Sequence, residues 1–189
     1  NLGNCYLAVG DTQKGFEILK DAVEINPLLS EAHMNLGNIY LQNQRPNEAI
    51  AKYEQALSIL GQDAHAFNNL GSAYLQLEQF RKAESYYRTA LGLDADNANT
   101  HCNLARAVWL QGRDGEAIER LGDALRLSPD DSDSRVLLGR IYQKQGDIDN
   151  ALQQYETVIR QDTANVPARR ALAALYLDTN QPDAALRQF

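Results

Sequence analysis

A period of 34 residues runs through the whole chain and leaves it few ways to fold. Leu36-Gly37, followed by Tyr40, returns as Leu70-Gly71 with Tyr74 and then as Leu104-Ala105 with Val108. It returns again as Leu138-Gly139 with Tyr142 and Leu172-Ala173 with Tyr176, while Leu2-Gly3 with Tyr6 stands one period earlier. A second motif keeps the same step: Ala49, Tyr53 and Ala56; Ala83, Tyr87 and Ala90; Ala117, Leu121 and Ala124; Ala151, Tyr155 and Val158. Gly15, Leu19 and Ala22 precede that series, and Ala185 with Phe189 closes it. No insertion breaks the register. A unit this short cannot bury its apolar face alone, so copies of it must stack in line.

Each unit reads as two helices. Ala32, Leu36 and Tyr40 recur at i, i+4 and i+8, one apolar stripe at helical period. Ala49, Tyr53, Ala56, Leu57 and Leu60 draw a second stripe in the same unit. Small residues beside large ones let paired helices approach to about 8–10 Å, with the bulky side chain filling the neighbour's groove. The prolines agree with this division. A proline inside a helix costs about 3 kcal/mol, yet Pro27 and Pro129 fall between units, and Pro46, Pro167 and Pro182 fall in first turns, where no N–H is needed.

At these residues the sequence resembles the tetratricopeptide repeat, and the resemblance covers the whole chain. It implies an all-α, right-handed superhelical solenoid of antiparallel helix pairs. We expect a single array over residues 1–189, with units 1–29, 30–63, 64–97, 98–131, 132–165 and 166–189. The first and last units read as truncated, so the chain is expected to be cut from a longer array. Departures from the family pattern are local. The aromatic expected three residues before each signature Leu is His33, Phe67, His101, Arg135 or Arg169, and the inter-unit proline gives way to Gly61, Ala95 and Thr163.

Composition excludes several function classes. Apolar residues make up 44% and charged residues 23%, which fits a packed, soluble chain. No apolar run approaches the roughly 18 residues of a membrane helix. A formal charge of −7 speaks against nucleic acid as the partner, since phosphate binding needs clustered Lys and Arg. His33, His65 and His101 fall in different units and cannot share a metal, so neither a metal nor any cofactor is expected. Cys5 and Cys102 are nearly three units apart, beyond the ~7 Å reach of a disulfide. With Ser, Asp and His equally scattered and no phosphate loop, the chain reads as no enzyme.

The expected binding surface is the second stripe of the first helices, which the resemblance places on a concave groove. Asn35, Asn38 and Gln42 lie there, then Asn69, Ser72 and Gln76, then Asn103, Arg106 and Leu110, then Leu137, Arg140 and Lys144, with Asn1, Asn4 and Ala8 beginning the series. Asn is a mediocre helix former, so its recurrence before the signature Leu invites another explanation. A carboxamide can bracket a peptide bond from both sides, and the series resembles the asparagine ladder of O-linked N-acetylglucosamine transferases. Duplication of one ancestral repeat, carrying its Asn along, is the competing and simpler explanation of the series.

Further along, Arg106, Arg140, Lys144 and Arg170 replace the amides. They would attract an acidic segment or a C-terminal carboxylate, or else form an ordinary solvated face. Trp109 reads as a groove anchor or as packing between units. Of the five-residue clamp with which some tetratricopeptide domains hold chaperone C-termini, only Asn38 and Asn69 match, while Met34, Asn99 and Asn103 occupy the cationic positions. The function expected is a scaffold that binds a protein or extended peptide. The alternatives are a substrate-recruiting arm of a larger enzyme such as a glycosyltransferase, and self-association through the terminal helices.

Overall fold

The computed structural model describes residues 2–188, without the side chains of residues 4, 7 and 8. Asn1, Asn4 and Ala8 of the amide series and the closing Phe189 therefore lie outside the described residues. The chain divides into two compact units, Asn1–Ala95 and Asp96–Phe189. The first holds α1 (Leu2–Ala8), α2 (Thr12–Ile25), α3 (Ser30–Gln42), α4 (Pro46–Leu60), α5 (Ala64–Gln76) and α6 (Phe80–Leu93). The second holds α7 (Ala98–Trp109), α8 (Asp114–Leu127), α9 (Ser132–Gln145), α10 (Ile148–Gln161), α11 (Val166–Asp178) and α12 (Pro182–Leu186). Among the described residues there is no strand, and no helix is long and apolar enough to cross a membrane.

Odd- and even-numbered helices pair as hairpins. Within the first unit α2 also packs on α3 and α4 on α5, and within the second α8 packs on α9 and α10 on α11. First helices also touch the next first helix, α3 on α5, α7 on α9 and α9 on α11. This is the all-α stack of helix pairs expected from the 34-residue period.

The turn inside every hairpin has one geometry. Gly10, Gln44, Glu78, Gly112, Gly146 and Asn180, each 34 residues after the last, all adopt positive φ. The following amide then reaches back to the carbonyl five residues earlier, as from Arg45 to Tyr40 at 2.9 Å and from Asp147 to Tyr142 at 2.9 Å. A left-handed residue followed by this 6→1 bond ends an α-helix by satisfying an orphan carbonyl.

The hairpin interior is a small-on-large contact. A Cβ added at Gly37, Gly71 or Gly139 would stand under 3.0 Å from the ring of Tyr53, Tyr87 or Tyr155 respectively. Only glycine lets the backbone of the first helix lie against the ring of the second. In the hairpin with alanine at that position, Ala105, the residue 16 further on is Leu121, and both are fully buried. The three tyrosine rings and Leu19, Leu36, Leu70, Leu104 and Leu121 form the centre of the core, each contributing about 1.5–3 kcal/mol by burial.

Starts of first helices also follow the register. Asp63, Asn97, Asp131 and Asn165 each accept a hydrogen bond from the backbone N–H three residues on. Leu29 stands at the equivalent position of α3 and supplies no such bond.

Candidate functional site

A buried tyrosine hydroxyl must find a partner, and this requirement organises one face of the first helices. Tyr53 donates its hydroxyl to Asn38 Oδ1 at 2.8 Å. The same oxygen accepts from Asn69 Nδ2 at 3.0 Å, and Asn69 Oδ1 accepts from Asn68 at 3.3 Å. Tyr87 shares its hydroxyl with Ser72 at 3.1 Å, and Tyr155 donates to Gln143 at 3.1 Å. Burial pushes the Tyr53 hydroxyl far above its ordinary value and that of Tyr155 up to about 12. In the first unit, then, Asn38 and Asn69 are joined across successive repeats, and Gln76 adds a bond from α5 to the Leu41 carbonyl of α3 at 3.2 Å. Asn35 and Asn103 are half-buried on the same register.

The residue at the Asn38 register differs from hairpin to hairpin. Leu121 has no hydroxyl to satisfy, and Arg106 occupies the position held by Asn38 and Ser72 in earlier units. Tyr155 turns to Gln143 instead, and its corresponding residue is Arg140. At this register, then, Asn38 and Ser72 are held by a tyrosine hydroxyl, whereas Arg106 faces a leucine hairpin and Arg140 is bypassed by the Tyr155 hydroxyl in favour of Gln143.

In the second unit α7, α9 and α11 open onto two clefts. One, of about 430 Å³, is lined by Arg140, Gln143, Val166, Pro167, Arg170, Ala171 and Ala174. The other, of about 200 Å³, is lined by Arg106, Trp109, Leu110, Asp133, Val136, Leu137, Arg140 and Pro167. The structure thus gathers Arg106, Trp109, Arg140 and Arg170 from the residues singled out in the sequence. Among the described residues the buried Trp109 indole N–H meets no acceptor. Lys144 is drawn away from them by an ion pair with Asp114 at 3.1 Å. Val136, Asp133 and Ala174 were not singled out in the sequence, and Pro167 was noted there only as a first-turn proline. Following the stripe through Arg140 back by one and two turns reaches Val136 and Asp133, and the same step back from Arg170 reaches Pro167.

The polar departures from the aromatic register have a use. His33 meets the Pro27 carbonyl at 2.9 Å, Arg135 donates to the Pro129 carbonyl at 2.8 Å, and Arg169 donates to the Thr163 carbonyl at 2.8 Å. Each side chain reaches six residues back and ties its helix to the preceding inter-repeat turn. Both cysteines are free thiols; Cys102 is buried, and burial pushes its thiol up. Among the described residues no three metal-ligating side chains converge.

Four family models, each described as a tetratricopeptide repeat, match residues 1–27, 28–96, 68–132 and 142–189. No curated protein matches the chain. Among solved structures it is similar to PilF of Pseudomonas aeruginosa, with TM-score 0.80 and 22% identity over 99% of this chain and 85% of that one. A thermophilic tetratricopeptide-repeat protein of Thermus thermophilus matches with TM-score 0.80 and 23% identity over 93% and 96%. YrrB, described as a tetratricopeptide-repeat protein with an unusual peptide-binding site, matches with TM-score 0.63 and 23% identity over 90% and 88%. Repeat period, hairpin packing and these matches agree: the chain belongs to the tetratricopeptide-repeat family, whose members serve in general as protein-interaction scaffolds.

Proposed function

We propose that this chain is a non-catalytic scaffold that binds a partner protein through an extended segment laid along its first-helix face. The observation that carries this reading is the sharing of open clefts by side chains from α7, α9 and α11, so that one ligand touches several repeats at once. A surface repeated along the chain suits an extended partner, because an extended backbone presents its own regular repeat. Asn35, Asn38, Asn69 and Asn103 contribute by bracketing the partner's peptide groups. Asn38 spends its oxygen on Tyr53 and Asn69, while its Nδ2 makes no hydrogen bond among the described residues and is available to a carbonyl. YrrB, similar in fold, is described as binding peptide at an unusual site, which is consistent with a peptide ligand here.

The test is affinity capture with the full chain, followed by measurement of the captured partner, purified, against the triple variant Asn35→Ala/Asn69→Ala/Asn103→Ala. The affinity is expected to fall about tenfold or more, the loss of one or two hydrogen bonds at an interface. The thermal midpoints of the two proteins are compared in parallel, because Asn69 alone gives up bonds to Asn38 and Asn68, each worth about 1 kcal/mol. A partner held equally by both proteins removes this face from the binding surface.

A further inference from the structure

The two clefts of the second unit carry one chemistry. Arg140 lines both, sharing one with Arg170 and the other with Arg106 and Trp109. Among the described residues none of these three guanidiniums is paired with a carboxylate, and Asp133, which lines the cleft of Arg106 and Arg140, lies beyond ion-pair distance of both. The contrast with Lys144 is instructive, since Asp114 neutralises that cation within the unit. The protein carries a formal charge of −7, and these three arginines, without an ion-pair partner among the described residues, concentrate positive charge on one face. A guanidinium is weakly hydrated and takes a carboxylate on two parallel N–H groups, which makes it the cation suited to a partly apolar cleft. The apolar lining, with Leu137 and Pro167 beside Trp109, asks for a hydrocarbon side chain between the anionic groups. The net charge opposes a nucleic-acid backbone.

We infer that the partner presents an extended acidic segment in which two anionic side chains stand about three residues apart and an apolar side chain lies between them. The inference rests on the first-helix face being the binding surface and specifies what that surface accepts. The spacing follows from geometry. Neighbouring helices pack about 8–10 Å apart, and an extended chain advances ~3.3 Å per residue, so successive repeats meet every third residue. One anion bridges Arg106 and Arg140, the other bridges Arg140 and Arg170, and the intervening side chain rests on Trp109 and Leu137. Steering by such a patch speeds encounter and weakens with salt.

Trp109 is the sole tryptophan in the sequence, so its emission reports occupancy of this cleft without a label. The full chain is titrated with a nine-residue synthetic peptide lacking aromatic residues, with two Glu three positions apart and a Leu between. Parallel titrations use the peptide with both Glu changed to Gln, with Leu changed to Ala, and with phosphoserine in place of Glu. The Glu peptide is expected to shift the emission saturably, with affinity reduced about tenfold or more in the Gln peptide and again by Arg140→Gln. Arg160→Gln, on the second helix α10, leaves the affinity unchanged. Because Arg140 is exposed, its variant should melt as the parent does.

A phosphoserine peptide bound more tightly than the Glu peptide identifies the anion as a phosphorylated side chain and upholds the anionic segment. Equal binding of the Gln and Glu peptides overturns the acidic requirement while leaving the face in use. Silence of the Trp109 emission with every peptide overturns the inference. In that case the Asn variant decides separately whether the first-helix face binds a partner at all.

Discussion

Among the described residues the hairpins from α1/α2 to α9/α10 each hold a pair of residues 16 apart, one small and one large, and that pair is open to test. Gly37→Ala places a methyl group against the Tyr53 ring, and overpacking of this kind costs about 1–3 kcal/mol. Better helix propensity returns about 1 kcal/mol of it. Gly37→Ala is therefore expected to destabilise on balance, and Tyr53→Leu to recover part of the loss, recreating the Ala105 and Leu121 combination found in the second unit. Urea unfolding of the four proteins in a double-mutant cycle measures the coupling; additive effects would show that the contact does not govern the hairpin. The hydroxyls give a second test. Below its unfolded value near 10 the Tyr155 hydroxyl is protonated in both states and contributes no pH dependence. Above it the unfolded chain releases the proton while the folded chain keeps it up to about 12, so stability falls as pH rises through that window. The fall amounts to about 2–3 kcal/mol at most for this group. Tyr155→Phe should flatten the decline between pH ~10 and ~12 in urea titrations, and an unchanged slope counts against a buried hydroxyl.

At the scale of the element, helix ends are where local sequence and register disagree. Four first helices of this chain begin at an Asp or Asn whose side chain caps them, and α3 begins at Leu29, which cannot. Leu29→Asp is expected to stabilise the protein by about 1 kcal/mol, the usual worth of an N-cap, and its carboxylate also faces the positive end of the helix. The readout is the urea midpoint at unchanged slope, and a fall in midpoint would mean that Leu29, 37% exposed, packs for more than the cap returns. The left-handed position of the hairpin turns tells a related story. It is plain in the sequence where it is glycine, as at Gly112 and Gly146, and hidden where it is Gln44 or Glu78. The 6→1 bond dictates that conformation whatever side chain occupies it.

For the molecule as a whole, the consequence of stacking is that energy is shared only between neighbours. The hydrogen bonds linking repeats, such as Asn69 to Asn38 and Lys144 to Asp114, join adjacent units in sequence. Disturbance at one hairpin should therefore stay near it. Gly37→Ala is expected to speed amide hydrogen exchange in α3, α4 and the flanking α2 and α5 while α9 and α10 keep their parental rates. Uniform acceleration through all helices would mean that the array unfolds as one cooperative body.

The period, the hairpins, the small-on-large core and the harmless placement of every proline were written in the chain, because each repeats at a fixed sequence spacing that needs no packed structure to be seen. The amide series was visible too, as a pattern. Only the tertiary structure decided what those side chains do. Asn38 is held by Tyr53 and Asn69, Lys144 is withdrawn by Asp114, and His33, Arg135 and Arg169 hold the preceding turns. It also gathered Arg106, Arg140, Arg170 and Trp109 around shared clefts. Periodicity fixes which face a residue occupies. Whether a polar side chain on that face is engaged or available depends on the reach of partners 15, 30 or 31 residues away, which only the packed helices bring within hydrogen-bond distance.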